Sequence, residues 1–382
     1  MAKQKTKEPL SVGVIGTGIL GSQHARYAAT HPDVRLVGVA ENRADVGRQV
    51  SRETGAVWYE TYDQMLGAEA LDLVIVSTPD PFHKDPVIAA AKAGVKKIIT
   101  EKPMATSMTD ARRMQEAVEK AGATLNILFP NRFNPLDRVV QYAVQKGLLG
   151  TPVHGDVRLD DNISVPTEMW GKRSKEWASG SSTAFFLLSH VVDLLRWYFH
   201  PSDVVEVYAI SRRQVLGYTP DLYDAYLTFD SGLIVRVKAE WIKRMDALVE
   251  FELGFSGAKG SLVYRKHPAF LSERGLRIDL ENPTLAELGR HQKVLAKQGI
   301  RSKVVSDPDA RTPHALEFYA EENPIEWQSG LGHYFATLRN GWKGPKLDGF
   351  GPLPGMHDAI RQVEIVDAIV KSAETGRARK AG

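Results

Sequence analysis

The chain has no cysteine among its 382 residues. That excludes disulfide staples, thiol nucleophiles and cysteine-ligated metals, and it is compatible with a reducing cytoplasm. Long hydrophobic runs are also missing, and none approaches the ~20 residues that span a bilayer. The start, Met1-Ala-Lys-Gln-Lys-Thr-Lys-Glu8, is charged and no signal-peptide core follows it. An excess of one charge sign is absent too. The net charge of +3 is spread along the chain and offers no patch to a nucleic acid. No repeat is evident, and no metal-ligand cluster stands out among the 11 histidines. The expectation is a cytoplasmic protein with no metal, membrane or nucleic-acid partner. The rest is ordinary for a globular chain: 43% hydrophobic and 25% charged residues, with length enough for two domains.

The most informative stretch is Val12-Gly-Val-Ile-Gly-Thr-Gly-Ile-Leu-Gly-Ser22. The apolar run Leu10 to Ile15 suits a buried parallel strand, and a helical pattern with Ala25, Ala28 and Ala29 follows. Gly16, Gly18 and Gly21 fall where strand must turn into helix, with the spacing of a dinucleotide loop. Gly16 permits the tight turn, Gly18 the approach of a pyrophosphate, and Gly21 close helix–strand packing. The helix start, with Ile19 and Leu20, turns its free N–H groups to the phosphates. A second apolar run, Val34 to Ala40, ends in Glu41, where the pattern expects an acid for the adenosine ribose hydroxyls. That carboxylate repels a 2′-phosphate and favours NAD over NADP. Arg43, two residues on, could bind a phosphate if Glu41 turned away.

Strands and helices then alternate to Leu125–Phe129, which implies a doubly wound parallel sheet. Ligands of such sheets bind beyond the carboxyl ends of the strands. Thr78, Pro79, His83, Glu101, Lys102 and Pro103 lie at or just after those ends.

Gly16-Thr-Gly-Ile-Leu-Gly21, Ser77-Thr-Pro-Asp-Pro-Phe-His83, Ala89-Ala-Ala-Lys-Ala-Gly94 and Glu101-Lys-Pro103 together resemble the Gfo/Idh/MocA family of sugar and inositol oxidoreductases. The resemblance implies that Lys102 works beside the nicotinamide and that the Lys102–Pro103 bond is cis. Independently, an ammonium beside a reacting hydroxyl stabilises developing alkoxide. His83 either lines the nicotinamide pocket or holds the turn by hydrogen bonds.

After Asn131-Arg-Phe-Asn-Pro135 the pattern changes to alternating, turn-separated strands between Val153 and Tyr264. The expected architecture is an α/β Rossmann domain (1–130), then an α+β domain (131–382) with a large, mainly antiparallel open sheet. The C-terminal helix could pack back on the first domain. Residues 265–326 read as irregular apart from a helix at 284–298. The resemblance implies that the large sheet makes homo-oligomer contacts, in a dimer or tetramer.

One helix, Ser182 to Phe199, interrupts the second domain. It places Phe186, His190 and Asp193 at i, i+4 and i+7. The resembling family carries Asp-x-x-x-His-x-x-Asp there, so Phe186 stands where an acid is expected. His190 is then the general base in one reading, with Phe186 shaping an apolar pocket wall. In a rival reading redox turnover is lost. Softer substrate-contact candidates are Arg132, which touches substrate or caps a helix, Asn162 beside Asp160 and Asp161, and Trp170 as a carbohydrate-stacking lid or subunit contact. The expected function is NAD-dependent hydride transfer to or from a sugar, inositol or polyol carbon, with Lys102 and His190 as catalytic residues. The alternatives are a redox-neutral NAD enzyme acting through a keto-sugar and a non-catalytic sensor.

Overall fold

A computed structural model describes residues 8–267, 275–307, 309, 311, 313–319, 327–341 and 353–382. The chain divides into two compact units, Met1–Pro130 with Trp327–Val363, and Asn131–Glu326 with Glu364–Gly382. The stretch Trp327–Val363 thus belongs to the first unit, and the second does not run unbroken from 131 to 382. Packing explains this. The Tyr334 hydroxyl donates to the Ile127 carbonyl and accepts from the Phe129 N–H. Phe335 stacks on Tyr27 at 6.2 Å, and the Asn126 amide donates to the Pro354 carbonyl at 3.1 Å.

The first unit is built on six parallel strands: β1 (Leu10–Ile15), β2 (Val34–Ala40), β3 (Val57–Tyr59), β4 (Leu73–Val76), β5 (Lys97–Thr100) and β6 (Thr124–Ile127). Their order is β3-β2-β1-β4-β5-β6. Leu73 to Val76 is wholly buried, as expected of a strand covered on both faces. The order reverses between β1 and β4, and the glycine loop follows β1 there. Ser107 caps the helix Met108–Lys120 by accepting from the Asp110 N–H.

The second unit holds a ten-stranded mixed sheet. Its strands are β7 (Pro152–Asn162), β8 (Val204–Arg212), β9 (Leu222–Phe229), β10 (Ile234–Lys243), β11 (Val249–Gly257), β12 (Gly260–His267), β13 (Gly275–Leu280), β14 (Lys303–Ser306), β15 (His314–Tyr319) and β16 (Arg379–Lys380). The order is β14-β15-β13-β12-β11-β7-β10-β9-β8-β16. Only β7 and β10 pair in parallel among these neighbours. Val235, Val237, Ala239 and Trp241 point inward along β10, and the helix Ser189–Phe199 covers that face, Phe199 meeting Phe255 at 5.0 Å. The outer face is laced with ion pairs such as Arg236–Asp224 and Arg158–Glu250, with Tyr208, Tyr226 and Val263 exposed among them.

Two expectations fail here. The supposedly irregular 265–326 contributes strands β13, β14 and β15 beside the expected helix, Leu285–Ala296. Leu276, Ile278 and Leu280 are the inward positions of β13, and the charges between them are used across the sheet, Arg277 pairing with Glu317 at 2.8 Å. Residues 268–274, 308, 310, 312 and 320–326 of this stretch lie outside the described residues.

The single helix 182–199 is also three pieces: Ser174–Thr183, a π-turn over Ala184–Leu188, and Ser189–Phe199. Ser182 sits at φ 79°, outside helical geometry. A π-turn carries one residue more than an α-turn, and each α-helical residue rotates by about 100°. A simple i, i+4 count across it therefore mis-assigns the face of Phe186. The stretch Gly171–Phe199 is apolar and long enough to cross a membrane by composition, but 72% of its most apolar window is buried inside the fold.

Candidate active site

In the first unit Gly16 adopts φ +82°, and a Cβ there would lie 2.8 Å from the Ser77 carbonyl oxygen. At Gly21 a Cβ would stand 1.9 Å from the Gly16 carbonyl oxygen. Neither position admits a side chain. Above Gly18 the space is open except for the Arg43 guanidinium, 3.9 Å from a Cβ built there. The helix Ile19–Thr30 starts at Gly18 with no side-chain cap and no acid in its first turn. Its leading N–H groups are thus left for an anion, and Ile19 and Leu20 are exposed beside them. These features fit a dinucleotide pyrophosphate.

Glu41 is buried and turned toward this loop. Its carboxylate accepts from the Thr17 N–H at 2.9 Å and from the Arg43 Nε at 2.8 Å. Burial raises its pKa, but the Arg43 side chain and the backbone N–H groups of Thr17 and Arg43 outweigh that and hold it below the usual range. Arg43 is the ion-pair partner of Glu41 in this arrangement.

At the ends of β4 and β5, Thr78 donates to the Phe82 carbonyl and Pro79 precedes a short 3-10 turn, Asp80–Phe82. His83 is buried with both ring nitrogens against carbonyl oxygens, Thr78 and Pro103, each at 2.8 Å. It ties the β4 end to the turn after β5. The Lys102–Pro103 bond is cis. Lys102 is only 7% exposed, and its N–H donates to the Glu101 carboxylate at 3.3 Å. Glu101 in turn binds His24 Nε2 at 2.6 Å. Burial raises the Glu101 pKa, but His24, then Lys102 and His83, more than reverse it, so the group stays anionic. His24, in the helix after the glycine loop, escaped the sequence reading.

In the second unit His190 Nδ1 lies 3.4 Å from the Asn131 side-chain nitrogen. The Asn131 amide oxygen accepts from Lys266 at 2.7 Å, and Lys266 reaches Asp137 at 2.5 Å. Asp137 also accepts from the Tyr198 hydroxyl at 2.5 Å. Burial raises the Asp137 pKa and lowers that of Lys266, and their mutual attraction opposes both shifts. Asp193, one helical turn after His190, forms a buried bidentate pair with Arg132 at 2.9 and 2.5 Å. Asn162 spends its amide on backbone, donating to the Met245 carbonyl and accepting from the Ser164 N–H. It shapes a loop.

Phe186 sits in an aromatic cluster, 4.9 Å from Trp177 and 5.8 Å from Trp241, with Trp170 against Trp177 at 5.2 Å. Asp161 accepts from the Trp241 indole N–H at 3.2 Å. The Trp170 and Trp177 indole nitrogens are buried and have no hydrogen-bond partner among the described residues. An acid at 186 would enter this apolar cluster. Phe186→Asp is therefore expected to cost on the order of 3 kcal/mol in stability with no gain in turnover. Thermal melts and steady-state rates check this, and a gain in rate at an unchanged melting temperature would refute it.

Two family models match the chain. Residues 10–129 fit the oxidoreductase family with an NAD-binding Rossmann fold, and residues 138–263 fit the GFO/IDH/MocA C-terminal domain. The chain belongs to the Gfo/Idh/MocA family. It is 29% identical to an inositol 2-dehydrogenase of Rubrobacter xylanophilus over 53% of this chain, spanning 55% of that protein. It is 25% identical to a D-apiose dehydrogenase of Paraburkholderia graminis over 95% of this chain and 88% of that protein. Its fold is that of the WlbA dehydrogenase of Bordetella pertussis, solved with NADH and UDP-GlcNAcA, with a TM-score of 0.79, 20% identity and 99% coverage of both chains. Its cofactor is accordingly NAD, and its relatives include dehydrogenases of an inositol and of apiose.

Proposed function

We propose that this protein is an NAD-dependent dehydrogenase acting at a hydroxyl or keto carbon of a sugar, inositol or related polyol. The observation that carries the reading is the buried Lys102 in the Glu101–Lys102–Pro103 turn, at the same carboxyl end of the parallel strands as the glycine loop. NAD, when bound, accepts or supplies the hydride. Gly16, Gly18, Gly21 and the exposed Ile19 and Leu20 hold its pyrophosphate end, and Glu41 with Arg43 meets the adenosine ribose. Thr78, Pro79, Glu101 and Lys102 border the nicotinamide, with His83 fixing the turn from behind. Lys102 holds positive charge at the substrate oxygen as negative charge develops there, and His190 is assigned as the second catalytic side chain. Trp170 and Phe186 supply an aromatic wall, and the unpartnered indole N–H of Trp170 suits a hydroxyl-rich ligand. Arg132 and Asp193 neutralise each other and support the helix that carries His190. The outer face of the ten-stranded sheet, with Tyr208, Tyr226 and Val263 exposed, is the surface for a second copy.

The test is nicotinamide absorbance after mixing the protein and NAD⁺ with a panel of sugars and inositols. Reduction with at least one polyol is expected. NAD binding, with a substrate converted but no net reduction, would move the reading to the redox-neutral enzyme. Binding with no conversion at all would leave a sensor.

A further inference from the structure

We propose that Lys266 and Asp137 act through Asn131 to set the tautomer of His190, so that the neutral ring carries its proton on Nε2 and presents a donor there. The inference rests on the reading of His190 as a catalytic residue.

An ammonium has donors and no acceptor. With Lys266 Nζ 2.7 Å away, the Asn131 atom facing it must be the amide oxygen. The amide nitrogen is then the atom facing His190 Nδ1. That nitrogen has two hydrogens and nothing to accept with, so Nδ1 must be the acceptor. A neutral imidazole with an acceptor at Nδ1 carries its proton on Nε2. Turning the Asn131 amide over would set its NH₂ against the ammonium.

Lys266 cannot easily swing aside. Its side chain is 3% exposed, Asp137 holds it at 2.5 Å, and it stands 5.0 Å over the Phe251 ring. The Tyr198 hydroxyl occupies the other Asp137 oxygen. The carboxamide at 131 offers Nδ1 a donor, so the ring presents Nε2–H as a hydrogen-bond donor on its other side. Asn131 and Lys266 are positioning residues.

The test is the ¹⁵N spectrum of the His190 ring in the full-length protein without cofactor or substrate, assigned by difference from His190→Gln. An acceptor-type Nδ1 and a protonated Nε2 are expected. Lys266→Met leaves Asp137 unpaired and is apt to misfold, so the decisive variant is Asn131→Asp. It puts an acceptor in the same place, and the two ring nitrogens should exchange character. With a polyol found in the panel, kcat should shift tenfold or more while KM stays within twofold. A protonated Nδ1 in the native protein, or an unchanged tautomer in Asn131→Asp, would overturn the proposal. The spectra need no turnover. An inactive protein with the expected tautomer would sink the dehydrogenase reading alone, and an active one with Nδ1–H would sink this inference alone.

Discussion

Replacing Lys102 by methionine is expected to lower kcat/KM for NAD reduction by about 10²–10³ while NAD still binds. The range corresponds to about 2.7–4 kcal/mol of lost transition-state stabilisation. The size follows from where the charge sits. Lys102 is 7% exposed, so its ammonium acts in a medium far less screening than water. Its backbone N–H is tied to Glu101, and Glu101 to His24, so the turn is set before substrate arrives. Methionine keeps the length of the side chain and removes the charge. Glu101 keeps His24 as its partner, so the variant should remain folded. The glycine loop and Glu41 are untouched, and the Kd for NADH should move by less than about threefold. A fall in kcat/KM smaller than tenfold, or loss of NADH binding in parallel, would show that Lys102 is structural.

Much of the first unit was legible because its signals are local. The glycine triad, the run Leu10–Ile15 and Glu41 after β2 each declare themselves within a few residues. The parts of the site that stayed hidden are pairs closed by the fold. His24 and Glu101 are 77 residues apart, and Asn131 and Lys266 are 135 apart. Nothing near either partner announces the other. Lys266 did leave one signal. It continues the alternation of Leu262 and Tyr264, the buried positions of β12, so a charge stands in core phase where only a buried partner could accommodate it. Phe186 misled for the opposite reason. Its spacing to His190 looked regular, but the π-turn over Ala184–Leu188 inserts a residue that periodicity alone cannot register. Its aromatic contacts come from Trp177 and Trp241, which no local pattern connects to it.

Arg132 reads from sequence as a substrate contact or a helix cap, and its pairing with Asp193 leads to the second large effect. Arg132→Met should destabilise the protein by about 3–5 kcal/mol, because it leaves a carboxylate that is 1% exposed without its counter-charge. In a unit of this size that is a fall in melting temperature of roughly 6–20 °C. The double variant Arg132→Met with Asp193→Leu should recover most of the loss. With both charges gone, no desolvated group is left unpaired, and an apolar pair can fill the volume. If the residues instead bound substrate directly, the double variant would be folded but would show a much raised KM, and the single variant would melt near the native protein. Measured together, melting temperature and KM separate the two. The expected pattern is a low melting temperature for the single variant, a near-native one for the double, and a kcat change in the double that exceeds any change in KM, because the pair anchors the helix on which His190 stands.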